Sequence, residues 1–287
     1  MVQTVMGKTF GCNKNSEGTI WKSRGNERHA VFEVIDGNRL TSYFQPIVFS
    51  GDGEIYGYEA LARIRGESVF GGIHGLFKTA IQTGTISSLD VKCRENAMSL
   101  ASGFGLGQST KHLFINVCPE TLMDTAHRPG ITDELAEKWQ IPKEKIVLEI
   151  TEESAIHNYD LFMQSITYYR SKGYTIAIDD FGAGFGGLKM LSIIEPDFVK
   201  IDRHFISFID RMSVKKNLVD SIVYACRRMG IGVIAEGIER EEESRELKDL
   251  GVELFQGYYI SKPQPALDCR KTMFNEVFSQ HLYEGGA

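Results

Sequence analysis

The chain has 287 residues, of which 42% are hydrophobic and 24% charged, and its formal net charge is −6 at pH 7. These proportions are near the averages for globular domains and exclude disordered, collagen-like and coiled-coil chains. The acidic balance and the absence of a long Lys/Arg run from the sequence disfavour binding to long nucleic acid, so an anionic ligand would need local cations such as bound metal ions.

Residues 1–28 are rich in Gly, Asn, Ser and Lys, which predicts a flexible tail or linker stub ahead of a single domain over residues 29–287. Short apolar segments in that domain predict eight strands, at 42–48, 55–61, 113–117, 145–150, 174–180, 197–201, 231–236 and 253–259. Amphipathic stretches predict helices between most of them, at 87–102, 158–173 and 213–230. Alternating strands and helices favour an α/β fold of parallel βα units, and eight strands favour a closed (β/α)8 TIM-type barrel.

One connection departs from that pattern. Only residues 49–54 lie between the first two predicted strands. A parallel crossover needs a dozen or more residues, whereas a hairpin needs only a few. The sequence therefore predicts a modified barrel whose first strand runs antiparallel to the rest.

Each predicted strand carries a polar or charged residue near one end. On the parallel strands this is the C-terminal end, where barrel enzymes keep their active sites. The reversed first strand brings Gln45 level with Glu59, because both lie at a similar distance from the hairpin turn. A single acid at a strand end is more often a cap or a surface charge, but contributions from all eight strands favour one shared site. The set comprises Gln45, Glu59, Asn116, Glu149, Asp179 with Asp180, Lys200, Glu236 and Gln256.

The chemistry of this set favours divalent cations. Five carboxylates cannot all stay ionised close together without positive charge among them. Oxygen ligands without Cys or His suit Mg²⁺ or Mn²⁺ better than zinc. The adjacent pair Asp179–Asp180 could share two ions, and Lys200 could orient water or stabilise phosphoryl charge. This pattern favours phosphoester hydrolysis, with a purely structural ion-pair network between Lys200 and the acids as the alternative.

A family resemblance becomes specific at the sequence Glu59-Ala60-Leu61. The chain resembles the EAL-domain family of bacterial cyclic di-GMP phosphodiesterases, hydrolases that convert this second messenger to linear pGpG. The likeness runs from about residue 42 to 264. It is carried, in family order, by FQPIV, YEALAR, FINVCP, LEITE, IDDFGAGFGGL, VKID, AEGIE and QGYYISKP.

The resemblance implies roles for individual residues. It implies a metal-binding set of Glu59, Asn116, Glu149, Asp179, Asp180 and Glu236, holding two Mg²⁺ or Mn²⁺ ions with Asp179 as the bridge. It implies a catalytic set of Lys200, Glu236, Glu59 and Gln256, the last holding a metal-bound water. It implies a substrate-binding set of Gln45, Leu61, Arg63, Asp202, Tyr258 and Pro263. Glu152 and Glu239 match acids that brace the loop after the Asp-Asp pair.

The implied mechanism is in-line attack of a metal-bridging hydroxide on one phosphate, with departure of the 3′ oxygen. Glu236 is a candidate general base, although metal ionisation of the water could make a protein base unnecessary. Tyr258 and Tyr259 are candidates for stacking on a base, with core packing as the alternative.

The loop DFGAGFGGL departs from the family's usual DFGTGYSSL. Ala183 and the pair Gly186-Gly187 replace small polar residues, which removes side-chain hydrogen bonds and raises the entropy cost of ordering the loop. We therefore expect a weakened enzyme. A catalytically silent EAL domain that acts as a cyclic di-GMP receptor is the second hypothesis, and a barrel metalloenzyme that acts on other small phosphoesters is the third.

The remaining expectations concern location and assembly. Five widely spaced cysteines without a C-x-x-C motif favour a reducing cytoplasm, and Cys118 is expected to be a small buried apolar residue. No apolar run approaches the ~20 residues of a membrane span. The family implies a homodimer, and an upstream sensory domain or a partner protein would supply regulation.

Overall fold

The computed structural model describes residues 15–125, 127–128, 130–152, 156–184 and 186–267, with the side chains of 15–24 left out. Eight strands close into a barrel in the order β1 to β8. The strands are β1 Leu40–Phe49, β2 Ile55–Ile64, β3 His112–Asn116, β4 Ile146–Thr151, β5 Thr175–Phe181, β6 Phe198–Ile201, β7 Gly232–Ala235 and β8 Leu254–Phe255.

Helices connect and surround these strands. They are α1 Asn15–Asp36, α2 Ile73–Thr83, α3 Ile86–Gly103, α4 Pro119–Leu122, α5 Ile131–Lys138, α6 Tyr159–Ser171, α7 Gly187–Ile194, α8 Arg203–Ile206, α9 Ser213–Met229 and α10 Glu241–Asp249. The predicted barrel is confirmed, and the three predicted helices correspond to α3, α6 and α9 within two residues at each end.

The predicted hairpin is also confirmed. Strand β1 pairs antiparallel with β2 on one side and with β8 on the other, whereas every other neighbouring pair is parallel. The connection after β1 turns through Gly53, whose φ of 74° lies in the left-handed region that glycine adopts without strain.

Two elements differ from the sequence-based expectations. A helix begins at Asn15, where a tail through residue 28 was expected, and Val31, Val34 and Ile35 in its last turns are buried in a cluster with residues of α2 and α3. Residues 1–14 of the expected tail lie outside the described residues. Strand β8 is only two residues long, and beyond it Gly257 lies against Ile238: a Cβ on Gly257 would stand 2.1 Å from the Ile238 carbonyl oxygen.

Besides the cluster of α1, α2 and α3, the core has two layers around the barrel. A cluster inside the barrel takes one apolar residue from each of six strands, namely Ile47, Phe114, Val147, Ala177, Ile234 and Leu254. A larger cluster fills the space between the strands and the surrounding helices. No helix among the described residues is both long and apolar enough to cross a bilayer.

Candidate active site

The candidate site forms the next layer of side chains above the barrel's interior cluster. Inward-facing side chains recur every two residues along a strand. Two positions from its interior residue, each of these six strands therefore presents a site residue at the same mouth. The pairs are Phe114 with Asn116, Val147 with Glu149, Ala177 with Asp179, Ile234 with Glu236, Leu254 with Gln256 and, on the reversed strand, Ile47 with Gln45.

The hairpin register brings Gln45 and Glu59 together as directly opposed residues of β1 and β2. Gln256 joins them from β8: its Nε2 lies 2.6 Å from Glu59 Oε2 and 3.3 Å from Gln45 Oε1. Gln45 in turn donates to the Ser261 carbonyl at 3.0 Å. On the other side of Glu59, Asn116 Nδ2 lies 3.3 Å from its Oε1 and 3.4 Å from Glu149 Oε2.

Lys200 lies at the centre of the carboxylates. Its side chain is 1% exposed, and its Nζ is 2.6 Å from Glu149 Oε1, 2.5 Å from Glu236 Oε1, 3.0 Å from Asp179 Oδ1 and 3.2 Å from Glu59 Oε2. Burial acts to lower the pKa of Lys200, but the surrounding carboxylates outweigh it and raise the pKa well above its usual value. The ammonium therefore stays charged and holds four acids, three from β2, β4 and β5 and one, Glu236, directly after β7.

Burial acts in the opposite direction on two of the acids. It raises the pKa of Glu149 well above its usual value, and the neighbouring Glu59 carboxylate adds to the rise while Lys200 opposes it. Burial likewise raises the pKa of Glu236 against the effect of Lys200, with Asp179 and Glu59 adding to it. One ammonium thus leaves negative charge in the site uncompensated, and this favours the uptake of protons or cations.

Asp180 joins the site through an irregularity in β5. Adjacent residues of a regular strand face opposite sides. The β5–β6 register shifts between Ile178 and Phe181, and Asp180 adopts a left-handed φ of 53°. As a result, both Asp179 and Asp180 line the cleft above the barrel. Strand alternation in the sequence could not show this.

The donor set fits divalent cations. Ligand oxygens of Glu59, Glu149 and Asp179 lie within 4.8 Å of one another, and so do those of Asp179, Asp180 and Glu236. The two groups share Asp179. The neutral oxygen Oε1 of Gln256 is buried and accepts no hydrogen bond. An all-oxygen set of this kind suits Mg²⁺ or Mn²⁺.

The site opens into a cleft of about 660 Å³. Of the residues predicted to bind substrate, the cleft is lined by Gln45, Leu61, Arg63, Asp202 and Tyr258. Tyr258 is 49% exposed, and Lys262 Nζ lies 5.5 Å from its ring centre. Tyr259 instead packs against the apolar core, as the alternative interpretation had it.

Pro263 is not among the described residues that line this cleft. It precedes Gln264, whose backbone pairs with Phe44 of β1 through two hydrogen bonds of 2.7 and 2.9 Å. The segment that carries Pro263 is therefore attached to β1 directly beside Gln45. The predicted contact of Pro263 with a ligand remains a prediction.

The two predicted loop-bracing acids make different contacts. Glu152 is buried and accepts three backbone N–H groups of the glycine-rich loop: Gly182 at 2.6 Å, Gly186 at 3.0 Å and Gly187 at 2.7 Å. Glu239 forms an ion pair with Arg203 on α8, with its Oε2 2.8 Å from Arg203 NH2, and its predicted bracing of that loop remains a prediction. The spacing of motifs could not reveal this choice of partner.

Several cleft residues were missed by the sequence-based analysis. Arg203 directly follows the Lys200-x-Asp202 motif, which was the available signal, and it lines the cleft. The wall contributed by α2 includes His74 and Phe77. Cys93 and Cys118 line the cleft as free cysteines of intermediate exposure, so Cys118 is less buried than expected.

The fold and the site together define the class of protein. It is a closed α/β barrel with one reversed strand, and it carries a carboxylate site suited to divalent cations at its C-terminal mouth. The model of the EAL domain matches residues 28–263. The chain therefore belongs to the EAL-domain family.

The relatives of this chain include one protein named as an antirepressor and one named as a phosphodiesterase. The chain is 31% identical over 220 residues to the blue light- and temperature-regulated antirepressor BluF of Escherichia coli K12, which covers 76% of this chain and 53% of BluF. It is 30% identical over 237 residues to the cyclic di-GMP phosphodiesterase PdeF of the same strain, which covers 82% of this chain and 31% of PdeF. The chain thus spans about half the length of BluF and about a third of PdeF.

Solved structures show the same architecture. A standalone versatile EAL protein from Vibrio cholerae O395, in a c-di-GMP bound form, is 33% identical with a TM-score of 0.70, covering 82% of this chain and 97% of that one. A manganese and cyclic di-GMP complex of Klebsiella pneumoniae BlrP1 is 30% identical with a TM-score of 0.70, covering 79% of this chain and 57% of BlrP1.

Proposed function

We propose that this domain is a metal-dependent phosphodiesterase that hydrolyses cyclic di-GMP to linear pGpG. The observation that carries the proposal is the convergence of Lys200 with Glu59, Glu149, Asp179 and Glu236, within 3.2 Å of one ammonium, at the mouth of the barrel. The name of PdeF and the ligands in the V. cholerae and BlrP1 structures support the choice of substrate.

Two overlapping carboxylate groups would hold the cations. Glu59, Asn116, Glu149 and Asp179 would hold one, and Asp179, Asp180 and Glu236 the other. Bound Mg²⁺ or Mn²⁺ would neutralise phosphate charge and lower the pKa of water. The chain itself supplies the positions: Asn116 contacts both Glu59 and Glu149, and Lys200 fixes the carboxylates of both groups.

The reaction joins a water-derived hydroxyl to phosphorus and breaks the bond from phosphorus to the 3′ oxygen, which takes a proton as it leaves. Arg63, which lines the cleft, would contact the phosphate. Gln256, held by Glu59 and Gln45, would use its free amide oxygen to orient the attacking water. Glu236, in the wall of the same cleft, is the candidate to accept the proton of that water.

A receptor that binds cyclic di-GMP without hydrolysing it is the second candidate function. BluF is named as an antirepressor, and the loop Gly182–Gly187 lacks the usual hydroxyl residues. The contacts of this loop favour the enzyme, because backbone N–H groups bonded to Glu152 hold it without side-chain hydroxyls. A homodimer and an upstream sensory domain or partner protein are further proposals, the first testable by light scattering coupled to size exclusion.

Incubation of the purified protein with cyclic di-GMP and Mg²⁺ or Mn²⁺, with an EDTA control, tests the proposal. We expect metal-dependent pGpG from the wild type and none from Glu59→Ala or Lys200→Ala. Glu54→Gln is the matched control, since Glu54 is an exposed carboxylate of the hairpin connection that precedes β2. Turnover like the wild type's in either site variant would refute the proposal, and metal-dependent binding without product would support the receptor.

A further inference from the structure

The cleft holds few cations for a ligand that carries two phosphates. Among the described residues that line it, the permanently charged cationic side chains are Lys200, Arg63 and Arg203. Lys200 is buried and engaged by four carboxylates. Two arginines therefore remain for contacts with phosphate oxygens.

These two arginines lie on opposite sides of the mouth. Arg63 is on β2, and Arg203 follows β6 as the first residue of α8. In a closed barrel of eight strands ordered β1 to β8, strands β2 and β6 are four apart in both directions. The carboxylate site lies between them, so a ligand that spans the mouth can meet one arginine on each side.

Arg203 is held in place by a close contact with Gly237 on the β7–α10 loop. A Cβ on Gly237 would lie 2.5 Å from Arg203 Cγ, and Gly237 has a left-handed φ of 64° that disfavours other residues. The guanidinium is then directed by Glu239, whose Oε2 lies 2.8 Å from NH2.

The loop that carries Glu239 is fixed in turn by the buried carboxylate of Glu243. Its Oε2 accepts the backbone N–H of Glu239 at 3.0 Å and that of Arg240 at 3.1 Å, while its Oε1 accepts the N–H of Phe208 at 2.9 Å. The backbone at Glu239 is thus held by a buried acceptor.

A ligand can nonetheless replace Glu239 as the partner of Arg203. The Arg203 side chain is 54% exposed and that of Glu239 is 38% exposed. Exposed pairs contribute little to stability, because water competes for both charges. A guanidinium can exchange a carboxylate for a phosphate of the same two-oxygen geometry, and a dianionic ligand offers such a group.

We propose that Arg203 binds the non-reacting phosphate of the cyclic dinucleotide, releasing Glu239 as the ligand enters. This inference rests on the proposed function, in which the other phosphate reacts at the carboxylate site. It makes Arg203 a specificity residue that recognises a ligand with a second phosphodiester.

Steady-state kinetics of Arg203→Ala on two substrates tests the inference. Loss of one charge-assisted contact predicts a rise in KM for cyclic di-GMP of about tenfold, with kcat nearly unchanged. KM for bis(p-nitrophenyl) phosphate, which has a single phosphodiester, should not change. Glu239→Gln should lower KM for cyclic di-GMP, because it releases the guanidinium from its partner. Arg245→Ala is the control, since exposed Arg245 pairs with Glu241 within α10.

An unchanged KM for cyclic di-GMP in Arg203→Ala would overturn the inference, as would equal losses on both substrates, which would indicate a structural role. Calorimetric titration of cyclic di-GMP in Ca²⁺, the cation of a BlrP1 complex with this ligand, measures the same contact as a binding affinity. An inactive wild type that binds would refute the proposed function alone, and the affinity ratio of the wild type to Arg203→Ala would still decide the role of Arg203. A wild type that neither turns over nor binds would overturn both.

Discussion

Replacement of Glu152 is expected to show how the glycine-rich loop is held. This carboxylate is 5% exposed and accepts the N–H groups of Gly182, Gly186 and Gly187 at 2.6 to 3.0 Å. Gly186 and Gly187 lie at the start of α7. Gly186 is the N-cap residue and makes no side-chain hydrogen bond that could cap the helix. Glu152, the residue directly after β4, therefore both fixes the loop and caps the helix.

The expected loss in the free energy of unfolding follows from the number of N–H donors that the substitution leaves without an acceptor. A buried donor that loses its partner costs about 1–3 kcal/mol, and water can reach the more exposed Gly182 in part. Glu152→Ala should therefore destabilise the fold by about 3–5 kcal/mol. Glu152→Gln keeps one acceptor oxygen, which can serve Gly186 and Gly187 together, so about 1–2 kcal/mol is expected for the contact with Gly182.

Thermal and urea denaturation measure both variants. At about 2–4 °C per kcal/mol, Glu152→Ala should lower Tm by roughly 6 to 20 °C. Turnover should fall as well, because the loop directly follows Asp179 and Asp180. Glu144→Ala, at an exposed carboxylate, is the control and should stay within about 0.5 kcal/mol of the wild type. A Glu152→Ala protein with wild-type Tm would refute the reasoning.

Three further predictions concern the loop, the core and the thiols. Gly186→Ser should be tolerated, because a Cβ there meets nothing within 4 Å, whereas Gly187→Ser should lower Tm because its Cβ would lie 2.7 Å from a Glu152 oxygen; equal Tm values for the two would contradict this. Arg94→Met should cost about 3–5 kcal/mol in urea denaturation, since it leaves the buried Asp90 carboxylate unpaired, and a loss below about 1 kcal/mol would count against it. Burial raises the pKa of the Cys93 thiol, so its labelling by iodoacetamide, read at Cys93 by mass spectrometry, should be slow at pH 8. The labelling of Cys93 should speed up only at higher pH or on unfolding, and fast labelling of Cys93 in the folded protein would refute this prediction.

The barrel and the ring of site residues could be predicted because both follow from local patterns and topological rules. A hairpin too short for a crossover reverses one strand, and that reversal alone makes Gln45 face the same mouth as Glu59. The two prove to be directly opposed in the ladder. Strand periodicity then places Asn116, Glu149 and Asp179 at the same level, since each lies two residues beyond an interior apolar residue.

What the sequence could not show depends on contacts between distant segments. Helix α1 is rich in residues that favour loops in its first half, and Val31, Val34 and Ile35 find their partners only when α2 and α3 are in place. Strand β8 ends before Gly257, which lies against Ile238 of another loop. In both cases tertiary packing overrides the local pattern.

For a related reason, the sequence does not reveal which groups these acids contact. Glu152 and Glu239 look alike in the sequence, each three residues after a strand-end glutamate. Only the backbone path decides that Glu152 meets three N–H groups while Glu239 meets Arg203. Sequence motifs can therefore suggest that an acid belongs to the site without indicating which group it holds.

Lys200 explains how the acidic mouth can fold before any cation binds. Carboxylates brought together without compensation repel one another and would oppose closure of the barrel. One buried ammonium within 3.2 Å of acids from β2, β4 and β5 and of Glu236 after β7 links both sides of the ring. Because a single positive charge cannot balance all of these acids, the folded site keeps an excess of negative charge. The residue that stabilises the ring thus also leaves it with the charge needed to attract divalent cations.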